Sequence, residues 1–488
     1  MMTRTVVQRW GAHMGSILLG LLFSAGIRAQ DYHAIEGSPF AGSLGVANNP
    51  ASILSTPYPW DITVFSMQLT NTSNAFTIHN FSLLSPGDTS QFSWNNGAFK
   101  HYGAFNFNMH LLNVRLDLGR KQAIAFGANM HSYGIAQTGA FNYNDTLQNI
   151  NQFFNINQNT SYNASMVTSS WLELFGTYSR TLWDDVPGRL SAGITLKAMR
   201  GISGAYAQLK NGALQRTAQG DLTVYSLAAG SAHYGYSSNY DRWKNSQSTL
   251  QNLKDFLTDS RAGVAVDLGA EYLIKSQAVT NYSDGDTYYD YEWKIGVSLL
   301  DVGKNTFKYG TQSRAASNPK SNITDSLLNV KFDGVSSLAN FNDSLATIVN
   351  SIYALTGPFT IWNPARLVIN VDRPLEGHFS INGNLSINLT GSNTGRRLYV
   401  KEINLLNLTP RWETRRLGAY LPVEVTTNGR LWVGGAAKFG PLLLGVHNWA
   451  NVFAKDKIQN GGFYLAIVIR PGGGWLEKED KQYTCPKN

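Results

Sequence analysis

Val264-Ala265-Val266-Asp267-Leu268-Gly269-Ala270-Glu271-Tyr272-Leu273-Ile274 alternates from end to end. Val264, Val266, Leu268, Ala270, Tyr272 and Ile274 fall on one phase, and Ala265, Asp267, Gly269, Glu271 and Leu273 on the other. A strand sends successive side chains to opposite faces, so this stretch predicts one wholly apolar face and one that carries two carboxylates. About ten residues of such alternation is the sequence unit of a membrane-crossing strand, with one face toward lipid and the other toward a polar lumen.

The same unit recurs. Phe463, Leu465, Ile467 and Ile469 alternate with Tyr464, Ala466, Val468 and Arg470, and Ile124, Phe126, Ala128 and Met130 with Gly127, Asn129 and His131. In a longer stretch, Phe105, Phe107, Met109 and Leu111 alternate with Asn106, Asn108 and His110, and the apolar phase then slips to Leu112, Val114, Leu116 and Leu118. A one-residue slip is what a β-bulge absorbs. Further strands are expected to begin near Ile62, Ala75, Trp171, Leu190, Leu222, Tyr291, Leu367, Phe379, Tyr399, Leu417, Leu431 and Leu442. The fold class predicted is all-β: a transmembrane antiparallel barrel of about 14–16 strands.

Connections read in two lengths. Leu118 to Lys121, Thr427-Asn428-Gly429 and Phe439-Gly440-Pro441 are short, whereas about 140–165, 233–258 and 311–357 are long, and helix-like patches occur at Ser248 to Leu257 and Asn342 to Leu355. Outer-membrane barrels have this asymmetry of short periplasmic turns and long external loops. A soluble β-sandwich or propeller would also alternate, but with more uniform loops and a higher charge content than the 15% of this 488-residue chain.

Residues 1–29 read as a secretory signal peptide. Arg4 and Arg9 precede the apolar run from Ile17 to Phe23, then Ser24, Ala25 and Gly26 lead to an expected cleavage after Ala29. The run is too short for the ~20 residues of a spanning helix. Loss of Arg4, Arg9 and Arg28 with the leader lowers the formal charge from +8 to +5, and no run of lysine or arginine gathers it into a nucleic-acid site. Beyond the leader there is no run of about 18 apolar residues, so strands are the expected means of crossing a membrane. Cys485 is the only cysteine, which excludes an internal disulfide and a cysteine zinc cluster.

The chemistry of enzymes is not indicated. There is no P-loop, dinucleotide fingerprint, zinc-protease helix or nucleophile elbow; Gly201-Ile202-Ser203-Gly204-Ala205 comes nearest to the elbow and lacks its final glycine. No catalytic, cofactor-binding or metal residue is assigned. The lumen-lining candidates are Asn106, Asn108, His110, Asn129, His131, Asp267 and Glu271. Asp267 and Glu271 could line a water-filled, cation-friendly path or pair with basic neighbours across the lumen. His110 and His131 could share a hydrogen-bond network, or a metal if a third ligand joined them. Trp432, Trp449 and Trp475 are expected as membrane-interface anchors.

The stretch Gly37-Ser38-Pro39-Phe40-Ala41-Gly42-Ser43-Leu44-Gly45-Val46-Ala47-Asn48-Asn49-Pro50-Ala51 resembles the small-residue opening of barrels of the long-chain fatty-acid transporter (FadL- and PorV-like) type. Val266 to Tyr272, Ser298-Leu299-Leu300-Asp301-Val302-Gly303 and Phe439-Gly440-Pro441-Leu442 resemble an uncharacterised outer-membrane family common in Bacteroidota. The resemblance implies a cell outer-membrane location and an N-terminal segment inside the lumen, with Asn49, Pro50 and Ala51 as its plug element. The expected division is then 1–29 signal, 30–60 lumenal segment, 61–475 barrel and 476–488 periplasmic tail. It further implies a gated channel for a small hydrophobic molecule, with about Asp31 to Thr56 as the gate. The alternative is a scaffold that holds a secreted or surface protein through its loops. Outer-membrane lipid is the expected surrounding, and no cofactor or nucleic acid is expected. Arg470 is followed by glycines, Trp475 and a polar tail, a departure from barrels that end on an aromatic residue.

Overall fold

The computed structural model describes residues 34–80, 82, 90–119, 121–147, 150–157, 160–219, 222–275, 290–391, 397–426, 429–453 and 458–471. The stretch read as a signal peptide, Trp475, Cys485 and the expected C-terminal tail lie outside the described residues. The rest forms a closed antiparallel barrel of 14 strands with five short helices.

The strands are β1 (Trp60–Ser73), β2 (Gly97–Gly119), β3 (Gln122–Tyr143), β4 (Tyr162–Asp184), β5 (Gly188–Gln219), β6 (Arg261–Ile274), β7 (Trp293–Lys308), β8 (Arg366–Pro374), β9 (Phe379–Asn388) and β10 (Leu405–Glu413). Four more complete the wall: β11 (Leu417–Tyr420 with Val423–Thr426), β12 (Leu431–Val433 with Gly435–Phe439), β13 (Leu442–Val446) and β14 (Asn460–Ile469). Each pairs with its sequence neighbour, and β14 closes on β1 through Ile62 opposite Ile469, Thr63 opposite Val468 and Phe65 opposite Ile467.

Short turns join β2 to β3, β4 to β5, β8 to β9, β10 to β11 and β12 to β13 at one end, where residues 275–292 also join β6 to β7; the other long connections gather at the opposite end. The short connection after Thr426 belongs to the long-loop end, because β11 runs toward it. There, the upper half of β5 continues beyond the barrel and pairs with Leu222–Tyr236, which pairs with Arg314–Pro319, which in turn pairs with Val349–Ala354. Helices α1 (Ile150–Ile156), α2 (Thr249–Thr258), α3 (Asp325–Phe332), α4 (Leu338–Ile348) and α5 (Ala450–Phe453) all lie at this end. Ser248 caps α2 by accepting from the Gln251 amide. The patch expected from Asn342 to Leu355 divides: helix α4 starts earlier, at Leu338, and Val349–Ala354 is strand, as its valine, isoleucine and tyrosine favour.

The alternation sorts inside from outside. On β6, Ala265, Asp267, Glu271 and Leu273 are buried, while Val264 is 70% and Leu268 47% exposed. Leu174 and Leu196, on β4 and β5, are 64% and 60% exposed on the same outer surface. Apolar side chains spread around the outer wall would be an aggregation liability in water and match the hydrocarbon of a bilayer. No helix among the described residues is long and apolar enough to cross a membrane. The slip on β2 is a bulge: the register to β3 shifts between His110 and Leu112, so Leu111 and Leu112 both face outward while Asn113 and Arg115 return inward.

Trp432 corrects the expectation of an interface anchor. It is fully buried, opposite the lumenal Glu424, with Leu431 and Val433 exposed on either side. Trp449 remains 39% exposed and stacks on Phe453 of α5.

Candidate functional site: the lumen and its N-terminal segment

Residues 34–59, ahead of β1, run inside the barrel near the short-turn end. Its local structure follows from small residues and one cap. Gly42–Ala47 and Pro50–Leu54 form 3-10 helices; Asn49 caps the second by accepting from the Ala51 amide at 2.9 Å, and Pro50 supplies the fixed φ that the first helical position favours. Gly42 has φ +56, and a Cβ there would lie 2.6 Å from the Asp61 carboxylate. Glycine is therefore required both for the turn and for the fit.

Side chains from many strands hold this segment. Arg411 of β10 donates to the carbonyls of Glu36 and Gly37 at 2.9 and 3.3 Å, and Lys294 of β7 donates to the Gly37 carbonyl at 2.6 Å. Glu413 accepts from Ser38 and Tyr420, each at 2.6 Å, and from Lys438 at 3.0 Å; the Lys438 ammonium lies 4.4 Å from the ring centre of Phe40. Asp61 accepts from the Ser43 amide at 2.6 Å, and Arg115 donates to the carbonyls of Ile53 and Tyr58, both at 2.6 Å. Charged groups out of water need such partners, so each bond satisfies the wall as well as the segment.

Asn49, Pro50 and Ala51 lie against bare wall. A Cβ on Gly193 of β5 would come within 2.6 Å of the Pro50 carbonyl carbon and 2.7 Å of the Ala51 nitrogen. One on Gly269 of β6 would come within 2.1 Å of the Asn49 oxygen and 2.8 Å of the Pro50 ring. Gly193 and Gly269 are direct cross-strand partners. Asn49 donates to the Ala270 carbonyl at 3.0 Å, Ser179 donates to the Pro50 carbonyl at 2.6 Å, and Ser55 donates to Glu271.

Toward the long-loop end a polar cavity follows. Asn108, His110, Asn129, His131 and Asp267 line it together with Glu173, Lys197, Asp301 and Arg366. Its free volume is about 30 Å³. On a scale where one water takes roughly 10–15 Å³, that admits about two or three waters and no organic cargo. Lys197 lies 2.8 Å from Asp267, 2.6 Å from Asp301 and 3.9 Å from Glu173, so three carboxylates share one ammonium. His131 bonds Asn108 at 2.6 Å through Nδ1 and lies 3.6 Å from Glu173 through Nε2. Among the described residues no three His, Cys, Asp or Glu side chains converge in a way that could hold a metal ion.

Above the cavity the lumen turns apolar. Trp171 stacks against both His131 and Tyr133, with ring centres 5.1 and 5.3 Å away, and those two rings lie 6.3 Å from each other. Val167, Met199, Phe307, Phe359, Ile361 and Val400 complete a buried layer, and Tyr309 lies flat on Phe359 at 4.6 Å.

The sequence candidates thus occupy three levels. Asn108, His110, Asn129, His131 and Asp267 share the cavity; Asn106, buried and opposite Tyr133, lies at the aromatic layer; Glu271 meets the N-terminal segment. Sequence reasoning passed over Lys197, although the phase Ser191, Gly193, Thr195, Lys197 carries it inward. It also passed over the pairing of Arg411 with Asp372 and the glycine pair at 193 and 269.

The model of the family described as "Family of unknown function (DUF5723)" matches residues 50–446. The chain belongs to that family. The match begins at Pro50, so it takes in the end of the lumenal segment as well as strands β1 to β13 of this DUF5723 barrel. No curated protein matches the sequence. Among solved structures, a Pseudomonas aeruginosa FadL homologue is similar at TM-score 0.40 and 9% identity, over 91% of this chain and 97% of that one. The Ralstonia pickettii toluene transporter TbuX is similar at TM-score 0.37 and 11% identity, over 88% and 94%. A mutant of the TodX monoaromatic hydrocarbon channel is similar at TM-score 0.39 and 10% identity, over 88% and 93%.

Proposed function

We propose that this protein is an outer-membrane channel that passes a small hydrophobic molecule and is closed at rest by the segment from about residue 31 to 56. Asn49, Pro50 and Ala51 form the plug, and Asn106, Asn108, His110, Asn129, His131, Asp267 and Glu271 line the path. The observation that carries this reading is the way the segment is held. Among the described residues its contacts with the wall are side-chain hydrogen bonds, close packing on glycine and apolar packing of Ile35 and Leu44 on Leu69 and Tyr464 and of Val46 and Ile53 on Ala125 and Phe175, not strand pairing, so it can leave without breaking the barrel ladder. The aromatic layer beyond the cavity suits apolar cargo, because rings offer large apolar area at low cost in conformational entropy.

The test is planar-bilayer conductance of the refolded mature protein beside a version that lacks residues 31–56. The intact protein is expected to be silent and the truncated one to conduct. Silence of both would mean that wall and loops fill the lumen by themselves, which defeats the channel reading. Liposome uptake of a small aromatic hydrocarbon, unchanged by the deletion, would remove the gate. Nothing in the described residues of the loops favours a scaffold over this reading.

A further inference from the structure

The loop between β5 and β6 carries a feature that passage through the lumen does not use. On β5, Ile194, Leu196, Ala198 and Arg200 point outward and are exposed. The register to β4 then shifts between Ser170 and Trp171, and from Gly204 onward the inward residues are Gly204, Tyr206 and Gln208, which leaves Ser203 on the outside. The Tyr240 hydroxyl bonds Ser203 Oγ at 2.6 Å, and Asn239 donates to the Ile202 carbonyl. The 3-10 turn Ser238–Arg242 is therefore fastened to the outer flank of the wall, one step above its apolar belt.

Helix α2 rides on that turn. Phe256 meets Tyr240 edge-on at 5.2 Å, and Asn252 ties both backbone groups of Lys244, accepting at 3.0 Å and donating at 2.8 Å. Those contacts occupy one side of α2. The other side presents Leu250 (79% exposed) and Leu253 (48%), while Trp243 meets Phe256 edge-on at 6.4 Å and remains 48% exposed. The helix C-terminus is tied down where Arg200 donates to Ser260 Oγ at 3.0 Å and to the Ser260 carbonyl at 3.2 Å. Arg200, Lys244, Lys254 and Arg261 of the same unit are exposed, as is Arg242, whose Nε lies 3.6 Å from Asp259. The acids of the same unit turn to protein partners: Asp241 to Tyr236, Asp255 to Gln251 and Asp259 to Ser238.

We infer that α2 and Trp243 form a membrane-surface foot, whose apolar side seats in the outer leaflet beside the barrel and whose basic rim meets the phosphates of anionic lipid head groups. Two observations select lipid as the occupant. Helix α2 ends two residues before β6, whose Val264 belongs with Leu196 to the lipid-facing belt, and basic residues together with a tryptophan and two leucines are the composition of an interfacial helix. The inference rests on the proposal that the barrel lies in an outer membrane, and it adds an anchor outside the lumen.

The test uses the full mature protein carrying Cys485→Ser in vesicles of bromine-labelled phosphatidylcholine with phosphatidylglycerol. A fluorescent probe is placed at one of three exposed positions by Leu253→Cys, Val264→Cys or Asn340→Cys. Bromine quenching at Leu253 is expected within about twofold of that at Val264 and several-fold above that at Asn340. Strong quenching at Val264 with none at Leu253 overturns the foot and leaves the membrane barrel standing. No quenching at Val264 overturns the membrane barrel itself. A Leu253 probe that is shielded without bromine quenching, and that cross-links to a second copy, assigns the surface to self-association and overturns the inference.

Discussion

Arg411 of β10 and Asp372 of β8 form a pair in which one guanidinium nitrogen lies 2.8 Å from both carboxylate oxygens, with neither side chain exposed. The same guanidinium holds the carbonyls of Glu36 and Gly37, so one side chain joins the wall to the start of the lumenal segment. Removing one partner of a buried pair leaves a charge unbalanced and costs about 3–5 kcal/mol. Arg411→Ala should destabilise the barrel by about that amount in denaturant titration and also raise bilayer conductance. A stability loss with the lumen still silent would show that the other anchors suffice.

Gly193→Val separates the segment from the wall more cleanly. Valine suits a strand, yet its Cβ would fall on the Pro50 and Ala51 backbone. The folded barrel should persist while the segment is displaced, so conductance appears and added protease cleaves the segment. Gly383→Val is the control, because a Cβ there would meet only the Val371 carbonyl, at 4.0 Å. Equal behaviour of the two variants would refute the cradle.

In the cavity, Lys197→Met should cost about 3–5 kcal/mol, since Asp267, Asp301 and Glu173 would lose their shared cation. Adding Asp267→Asn should return part of the loss, with a coupling of about 0.5–3 kcal/mol between the two changes. Strict additivity in the double-mutant cycle would mean that the contact carries no energy.

Trp171→Ala would leave a void over the rings of His131 and Tyr133. The expected loss is about 3–5 kcal/mol, the range for truncating a buried aromatic residue. Saturating indole should recover part of it, because a ligand that binds only the folded state stabilises that state. If indole raises the unfolding midpoint of the parent protein equally, the void is not its site.

The wall was legible in the sequence where a strand is long and its two faces differ chemically. Val264 to Ile274 and the slip at Leu111 and Leu112 needed only the two-residue period. Leu431-Trp432-Val433 is apolar at every position and short, so no phase could be read, and Trp432 was placed on the wrong face. The pairs across the lumen were hidden for another reason. Lys197 meets Asp301 from a strand two away, and Arg411 reaches the residues at 36 and 37, because barrel curvature and stagger bring them together. Asp301 also sits at an irregularity, with φ +57 between the displaced register of Leu299 and Val302, which periodicity does not anticipate.

The two ends of the barrel sequence meet at a single place. Ser43 bonds Asp61 and Thr63 on β1, Thr63 is the partner of Val468 on β14, and Arg470, two residues on, donates to the Phe40 carbonyl at 2.7 Å. Closing the β14–β1 seam therefore also completes an anchor for the lumenal segment: on the proposed reading, barrel closure and plugging draw on the same residues.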